Sequence, residues 1–130
     1  GKLGAILQKV SDLMHTGDEM PILDEHAALR QIILTMSSKM LGCVVIINEN
    51  GDLSGMITDG DLRRHMGPSL MDKKAKQVMH PDPIVVSEDT LAVTALRIMQ
   101  ENKITSLFVT GEGKPVGILN VHDCLRAGVE

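Results

Sequence analysis

The feature that most constrains this chain is an internal repeat. Gly55-Met-Ile-Thr-Asp-Gly-Asp-Leu-Arg-Arg64 returns as Gly117-Ile-Leu-Asn-Val-His-Asp-Cys-Leu-Arg126. Each copy leads from an apolar run through a polar residue, Thr58 or Asn120, to an aspartate three places on, Asp61 or Asp123. The echo extends outward. Ser11-Asp-Leu-Met-His15 matches Lys76-Gln-Val-Met-His80, Pro21-Ile-Leu23 matches Pro83-Ile-Val-Val86, and Val44–Ile47 matches Ser106-Leu-Phe-Val109. The offset stays within about 62 to 65 residues across five elements, which marks a duplicated unit rather than chance. A unit of about 60 residues buries too little surface to be stable alone, so the two copies should pack together.

Within each copy the local pattern gives the element order. Residues 3–14 suit a helical lead-in, with Leu3, Ile6, Leu7 and Val10 on one face, and Met20–Leu23 suits a short strand. From Ala28 to Lys39, Leu29, Ile32, Ile33, Met36 and Met40 recur at helical spacing, and Gly42 provides the stop. Cys43–Ile47 is a continuous β-branched run, expected to be a strand buried on both faces. Asn50-Gly51 suits a type I′ hairpin turn, whose two central residues need positive φ. The return strand Leu53–Ile57 feeds a helix from Gly60 to Met66. In the second copy the helix Thr90–Asn102 should point Leu91, Ala95, Leu96 and Met99 inward, Gly111-Glu-Gly113 takes the place of Asn-Gly, and Val116–Leu119 leads to Asn120. The expected fold is α/β (α+β): two β-α-β-β-α units related by a pseudo-two-fold axis and closed face to face. The division falls at residues 1–66 with the lead-in, a Gly- and Pro-containing linker at 67–74, and residues 75–130.

Composition excludes several classes of function. A net charge of -4, no basic run and one aromatic residue, Phe108, argue against nucleic acid or a membrane surface as partner. No apolar segment is long enough to span a bilayer and no signal peptide is visible, which points to the cytoplasm. Cys43 and Cys124 lack CxxC spacing and read as small buried apolar residues. His15, His80 and His122 lack the spacing of a metal site, and no Ser/His/Asp or Cys/His pairing sits on a reactive scaffold, so neither a metal nor catalysis is expected. The chain starts at Gly-Lys rather than Met, as an excised fragment would.

The repeated turns admit two readings. In one, Thr58 or Asn120 caps the following helix while the aspartate reaches back to the cap amide, an arrangement worth about 1 kcal/mol that needs no ligand. In the other, the same atoms bind: the helix start and the Thr58 hydroxyl suit a phosphate, and the carboxylate one turn on accepts ribose hydroxyls. Arg63, Arg64 and Arg126 lie in the same helices and can balance anionic groups.

A βαββα repeat pair with Gly-x-x-Thr-x-x-Asp closing each unit resembles a tandem CBS domain, or Bateman module. Further stretches extend the resemblance: Val10-Ser-Asp-Leu-Met-His-Thr-Gly-Asp-Glu-Met-Pro21, Ile57–Arg64, Lys103-Ile-Thr-Ser106 and His122-Asp-Cys-Leu-Arg-Ala-Gly128. These are similar to the C-terminal part of bacterial D-arabinose 5-phosphate isomerases of the KpsF/GutQ type. The resemblance implies a regulatory half, detached from an N-terminal sugar-isomerase (SIS) domain that carries the chemistry. It implies a nucleotide in the cleft between repeats, with Thr58 at phosphate and Asp61 at ribose. Asp123 matches that motif, whereas Asn120 departs from it and would donate through its amide. No cofactor is required. The regulatory ligand is either AMP or ATP, or CMP-Kdo, the activated end product of the sugar pathway that the parent enzyme feeds. Lys103 and the histidines His15, His80 and His122 would receive the Kdo carboxylate, and Met14 and Met79 would flank the base. Thr16, Arg64, Thr105 and Ser106 complete the expected site. A homodimer of such pairs, within a tetrameric parent, follows from the same resemblance. The alternative is a structural dimerisation module with no physiological ligand.

Overall fold

The computed structural model describes residues 4, 7–39 and 41–130. Leu3, Ile6 and Met40, read above as apolar helix positions, lie outside the described residues. The chain divides into two compact units, and they do not coincide with the sequence repeats. One is the continuous segment Pro21–Pro83; the other combines the chain up to Met20 with Ile84–Glu130.

In the continuous unit, strand β1 (Ile22–Asp24) is followed by helix α2 (Leu29–Lys39) and strand β2 (Cys43–Ile47), which runs parallel to β1. The short helix before β1, α1 (Val10–Leu13), belongs to the other unit. Strand β3 (Leu53–Thr58) returns antiparallel to β2 and enters helix α3 (Asp59–Arg64). Helix α4 (Ala75–Val78) then leads to strand β4 (His80–Pro81), which pairs antiparallel with β3, Gly55 opposite Pro81 and Met56 opposite His80. The sheet order is β1-β2-β3-β4. Helix α2 buries Leu29, Ile32 and Met36 against Val44, Ile46 and Ile57, while Ile33, expected on the same face, is exposed at its edge. Residues 67–74 are more than a tether. Leu70, in a 3-10 turn at Leu70–Asp72, is buried in this core with Ala75 and Val78.

The second unit repeats the plan with strand β5 (Val85–Ser87), helix α5 (Ala92–Asn102), strands β6 (Ser106–Gly111) and β7 (Lys114–Asn120), and helix α6 (Val121–Arg126). β5 runs parallel to β6, and β6 antiparallel to β7. His15 forms an isolated antiparallel bridge to Ile118, which occupies the place that β4 holds beside β3. Helix α5 buries Ala92, Ala95, Leu96 and Met99. Leu91 caps that helix from outside its first turn and is exposed, so the inward position is Ala92.

The lead-ins dock by matched backbone bonds. Val10 and Ser11 amides donate to Thr90 and Glu88 carbonyls at 2.8 and 3.1 Å, and the Ala75 and Lys76 amides donate to Ala27 and Glu25 at 2.9 and 3.0 Å. The lead-in of each sequence repeat therefore packs in the unit built on the other repeat.

The two hairpins differ from the expected pair. At Asn48–Asp52 the Asn48 side-chain oxygen accepts the amides of Asn50 and Asp52 at 2.9 and 3.0 Å, and only Gly51 has positive φ, at 81°. A self-bonding asparagine at the first loop position competes with the type I′ turn and wins. The type I′ conformation appears instead in the second copy, where Glu112 and Gly113 have φ of 53° and 79° between the paired residues Gly111 and Lys114.

Candidate functional site

Among the described residues the buried polar side chains are Asp61, Ser106 and Asp123, all within or opposite the two repeated turns. A buried carboxylate is costly unless charge-assisted bonds surround it. Both aspartates have them.

In the continuous unit, Asp61 Oδ2 accepts from the Thr58 amide at 2.8 Å, the Thr58 hydroxyl at 3.1 Å and His80 Nδ1 at 2.7 Å. Its Oδ1 accepts from Arg64 Nη2. Four donors thus converge on a carboxylate that offers about four acceptor positions. The Thr58 oxygen in turn accepts the Asp61 amide at 3.4 Å, completing a capping box. Burial pushes the Asp61 carboxyl up, but the Thr58 amide, His80 and Arg64 outweigh it and hold its pKa below the usual value.

In the other unit, Asp123 Oδ2 accepts from the Asn120 amide at 2.8 Å, and Oδ1 accepts from His15 Nε2 at 2.9 Å and Arg126 Nη2 at 2.7 Å. Asn120 caps the His122 amide at 2.9 Å and donates its own side-chain amide to Ser106 Oγ at 3.1 Å. Three donors reach Asp123, one fewer than reach Asp61. His15 also donates from Nδ1 to Glu19 at 2.5 Å. Carboxylate oxygens opposite both ring nitrogens favour the imidazolium. The bond to Asp123 raises the His15 pKa above the usual value, burial opposes this, and Glu19 reinforces it. Burial likewise pushes the neighbouring Cys124 thiol up, with Asp123 adding to the effect.

Each turn carries a glycine for steric reasons. A Cβ on Gly55 would lie 2.6 Å from Met79 Sδ and 2.8 Å from the His80 carbonyl oxygen. One on Gly117 would strike Met14 Sδ and lie 2.9 Å from its Cγ. The lead-in methionine crosses the strand at each glycine, and that crossing sets the following histidine against the aspartate.

A model of the CBS domain family matches residues 10–67 and 75–130. The chain is a tandem CBS domain pair. Over 99% of its length the pair is 46% identical to the arabinose 5-phosphate isomerase KdsD of Salmonella typhi, and it spans 40% of that protein. Its fold is similar to that of CBSX2 in complex with AMP, with a TM-score of 0.78, 23% identity, and 93% of this chain and 96% of that chain covered. It is also similar to the CBS domain of a bacterial CNNM/CorC family Mg2+ transporter in complex with ATP, with a TM-score of 0.78, 21% identity, and 96% and 89% covered. No described helix of the pair is long and apolar enough to cross a membrane.

The expected site residues of the CBS pair separate into two sets. Thr58, Asp61, Arg64, Met79 and His80 gather in the continuous unit. Met14, His15, Ser106, Asn120 and Asp123 gather in the other. Thr16, Thr105 and His122 are exposed in that second unit. Lys103 is exposed at the end of α5, in the left-handed conformation that closes the helix. Glu19, a partner of His15 at 2.5 Å, lies in the short acidic stretch Gly17–Glu19, whose composition does not distinguish it from a solvated loop. The four-residue spacing is its only sequence signal, and the chain between the two residues is a single 3-10 turn, Gly17–Glu19, not an α-helix.

Proposed function

We propose that this CBS pair is the regulatory part of a bacterial D-arabinose 5-phosphate isomerase, and that it senses a nucleotide or nucleotide sugar. The observation that carries the reading is the matched pair of buried aspartates, each held by a lead-in histidine and an arginine in the same helix. Two such bracketed carboxylates, at equivalent places in a fold whose relatives include proteins solved with AMP and with ATP, suit the recognition of ribose. Thr58 and Asn120 then face phosphate. Met14 and Met79 flank the base, and Lys103 with His15, His80 and His122 serve a ligand that bears a carboxylate. Identity to KdsD supports sugar isomerisation by the rest of the parent protein, in a SIS domain. The pair then works in the cytoplasm, within a dimer or tetramer of the parent. CMP-Kdo is the ligand that end-product feedback requires, and AMP or ATP are those that the relatives in fold support. A ligand regulates only if it binds two states of the parent with different affinity.

Isothermal titration with CMP-Kdo, CMP, AMP and ATP tests the reading. Heat of binding from at least one is expected, and silence from all four by folded protein overturns it. A second reading has a specific observation in its favour: Thr58 and Asp61 form a reciprocal capping box, as a helix start without a ligand does. Under that reading the pair only holds subunits together. The Asp61→Ala variant would then keep any nucleotide-induced rise in melting temperature, whereas sensing requires that rise to fall.

A further inference from the structure

His15 stands between two carboxylates of unlike exposure. Its Nδ1 faces Glu19 Oε2 at 2.5 Å, and its Nε2 faces Asp123 Oδ1 at 2.9 Å. The Glu19 side chain is 68% exposed and that of Asp123 is 6% exposed. Each neighbouring element adds its own groups. Helix α6 brings Arg126, which shares Asp123 Oδ1 at 2.7 Å, with the exposed His122 and the buried Cys124 thiol. Asp12 on α1 accepts the Lys9 amide at 2.9 Å, and β7 meets His15 through the Ile118 backbone.

Glu19 matters because of where it lies. It ends the 3-10 turn Gly17–Glu19, and the chain passes from one unit into the other after Met20. None of the three turn residues is buried. Two backbone bonds close the turn, from the Glu19 amide to Thr16 at 3.2 Å and from the Met20 amide to Gly17 at 3.0 Å. An exposed turn of this kind belongs to the low end of local stability. Its bond to His15 ties it to an anchored residue, whose amide and carbonyl pair with Ile118 at 2.8 and 3.0 Å.

A neutral imidazole has one N–H to give. Depriving the buried Asp123 of it costs more than depriving Glu19, which water can solvate. The proton therefore stays on Nε2, and the bare Nδ1 turns its lone pair toward the Glu19 carboxylate. Two acceptors do not stay at bonding distance.

We propose that His15 is a pH-operated latch on the segment that leads from one unit into the other. Protonated, it holds the turn Gly17–Glu19 shut; neutral, it keeps Asp123 and lets Glu19 go. The two carboxylates hold the His15 pKa above 6.5, so the latch is shut below that value and opens as pH rises through the folded-state value. The second lead-in is built differently. His80 bonds Asp61 through Nδ1, Ile84 stands where Glu19 would, and Pro81 and Pro83 stiffen the chain between. The latch thus acts on one crossing of the chain and spares the other.

The test is a pH titration of the isotope-labelled chain by nuclear magnetic resonance, beside Glu19→Gln. The His15 ring should titrate above pH 6.5, and the amides of Gly17, Asp18, Glu19 and Met20 should shift with the same midpoint. The amides of Val10 and Ser11, bonded to Thr90 and Glu88, should stay in place. In Glu19→Gln the His15 midpoint should fall by about half a pH unit, as for an exposed ion pair, and the turn amides should lose most of their transition. Glu19 is exposed, so the variant keeps the fold, which its melting curve verifies. Turn amides that ignore the His15 midpoint, or that follow it equally in Glu19→Gln, overturn the latch. Equal movement of Val10 and Ser11 also overturns it, since the whole lead-in would then be letting go.

Discussion

The two turns reach the same bracketed aspartate by different chemistry. In the first, one threonine hydroxyl bonds Asp61, and the residue across the ladder, Cys43, is apolar. In the second, Asn120 divides its side chain between the His122 amide and Ser106, its ladder partner. The histidines differ as well: His80 uses Nδ1, while His15 uses Nε2 and turns Nδ1 to Glu19. What duplication preserved is a buried carboxylate with enough donors, and the identity of the donors drifted around it. A polar substitution in one place is answered by a polar partner opposite, because an unpaired buried group would cost about 1–3 kcal/mol.

The largest expected departure from this equivalence lies at the glycines. At Gly55 an added methyl would meet the His80 carbonyl as well as Met79, and backbone does not move aside cheaply. At Gly117 the three nearest atoms all belong to the Met14 side chain and none to backbone. Gly55→Ala should therefore cost about 2 kcal/mol and Gly117→Ala less than about 1 kcal/mol, read from urea denaturation of each variant. Equal losses would mean that the strand crossings are alike after all.

A smaller effect separates the units by pH. The His15 pKa is raised from 6.5, so its contribution is complete below that value and fades as pH rises through the folded-state value. The Asp61 pKa is lowered from 3.8, so its contribution is present above that value and fades as pH falls through the folded-state value. Melting temperatures should decline as pH rises beyond 6.5 in the unsubstituted chain and decline less in His15→Gln, whereas Asp61→Asn should flatten the limb below pH 3.8.

The smallest effect belongs to the hairpins. Glu112 is a non-glycine residue at positive φ, and Glu112→Asn should stabilise by about 0.5 kcal/mol, since asparagine tolerates that conformation. Asn50 has no such strain, so Asn50→Gly should bring no gain in the same melting assay.

Much of this was legible in the sequence because periodicity reports burial. The strand Cys43–Ile47 and the inward faces of both long helices followed from spacing alone, apart from Ile33 at a face edge and Leu91 outside the first helical turn. Strand β4 was not legible: two residues ending in proline carry no alternation to read. Nor could spacing reveal which sheet a lead-in joins, since Val10 and Val78 look equally apolar whichever core receives them. The four-donor coordination of Asp61 was hidden for a related reason. Thr-x-x-Asp declares a cap, but His80 arrives from nineteen positions away.

The crossed lead-ins also bear on the order in which the molecule can be made. Pro21–Pro83 is continuous and can close on itself while the rest of the chain is still being synthesised. His15 leaves the ribosome early yet must wait for Asp123, which lies 108 positions later. The segment carrying it meets its first backbone partners only when Glu88 and Thr90 emerge, and the carboxylate of Asp123 arrives last, with the final helix. Truncating only the final turn would therefore strand both ends of that unit and spare the one between them.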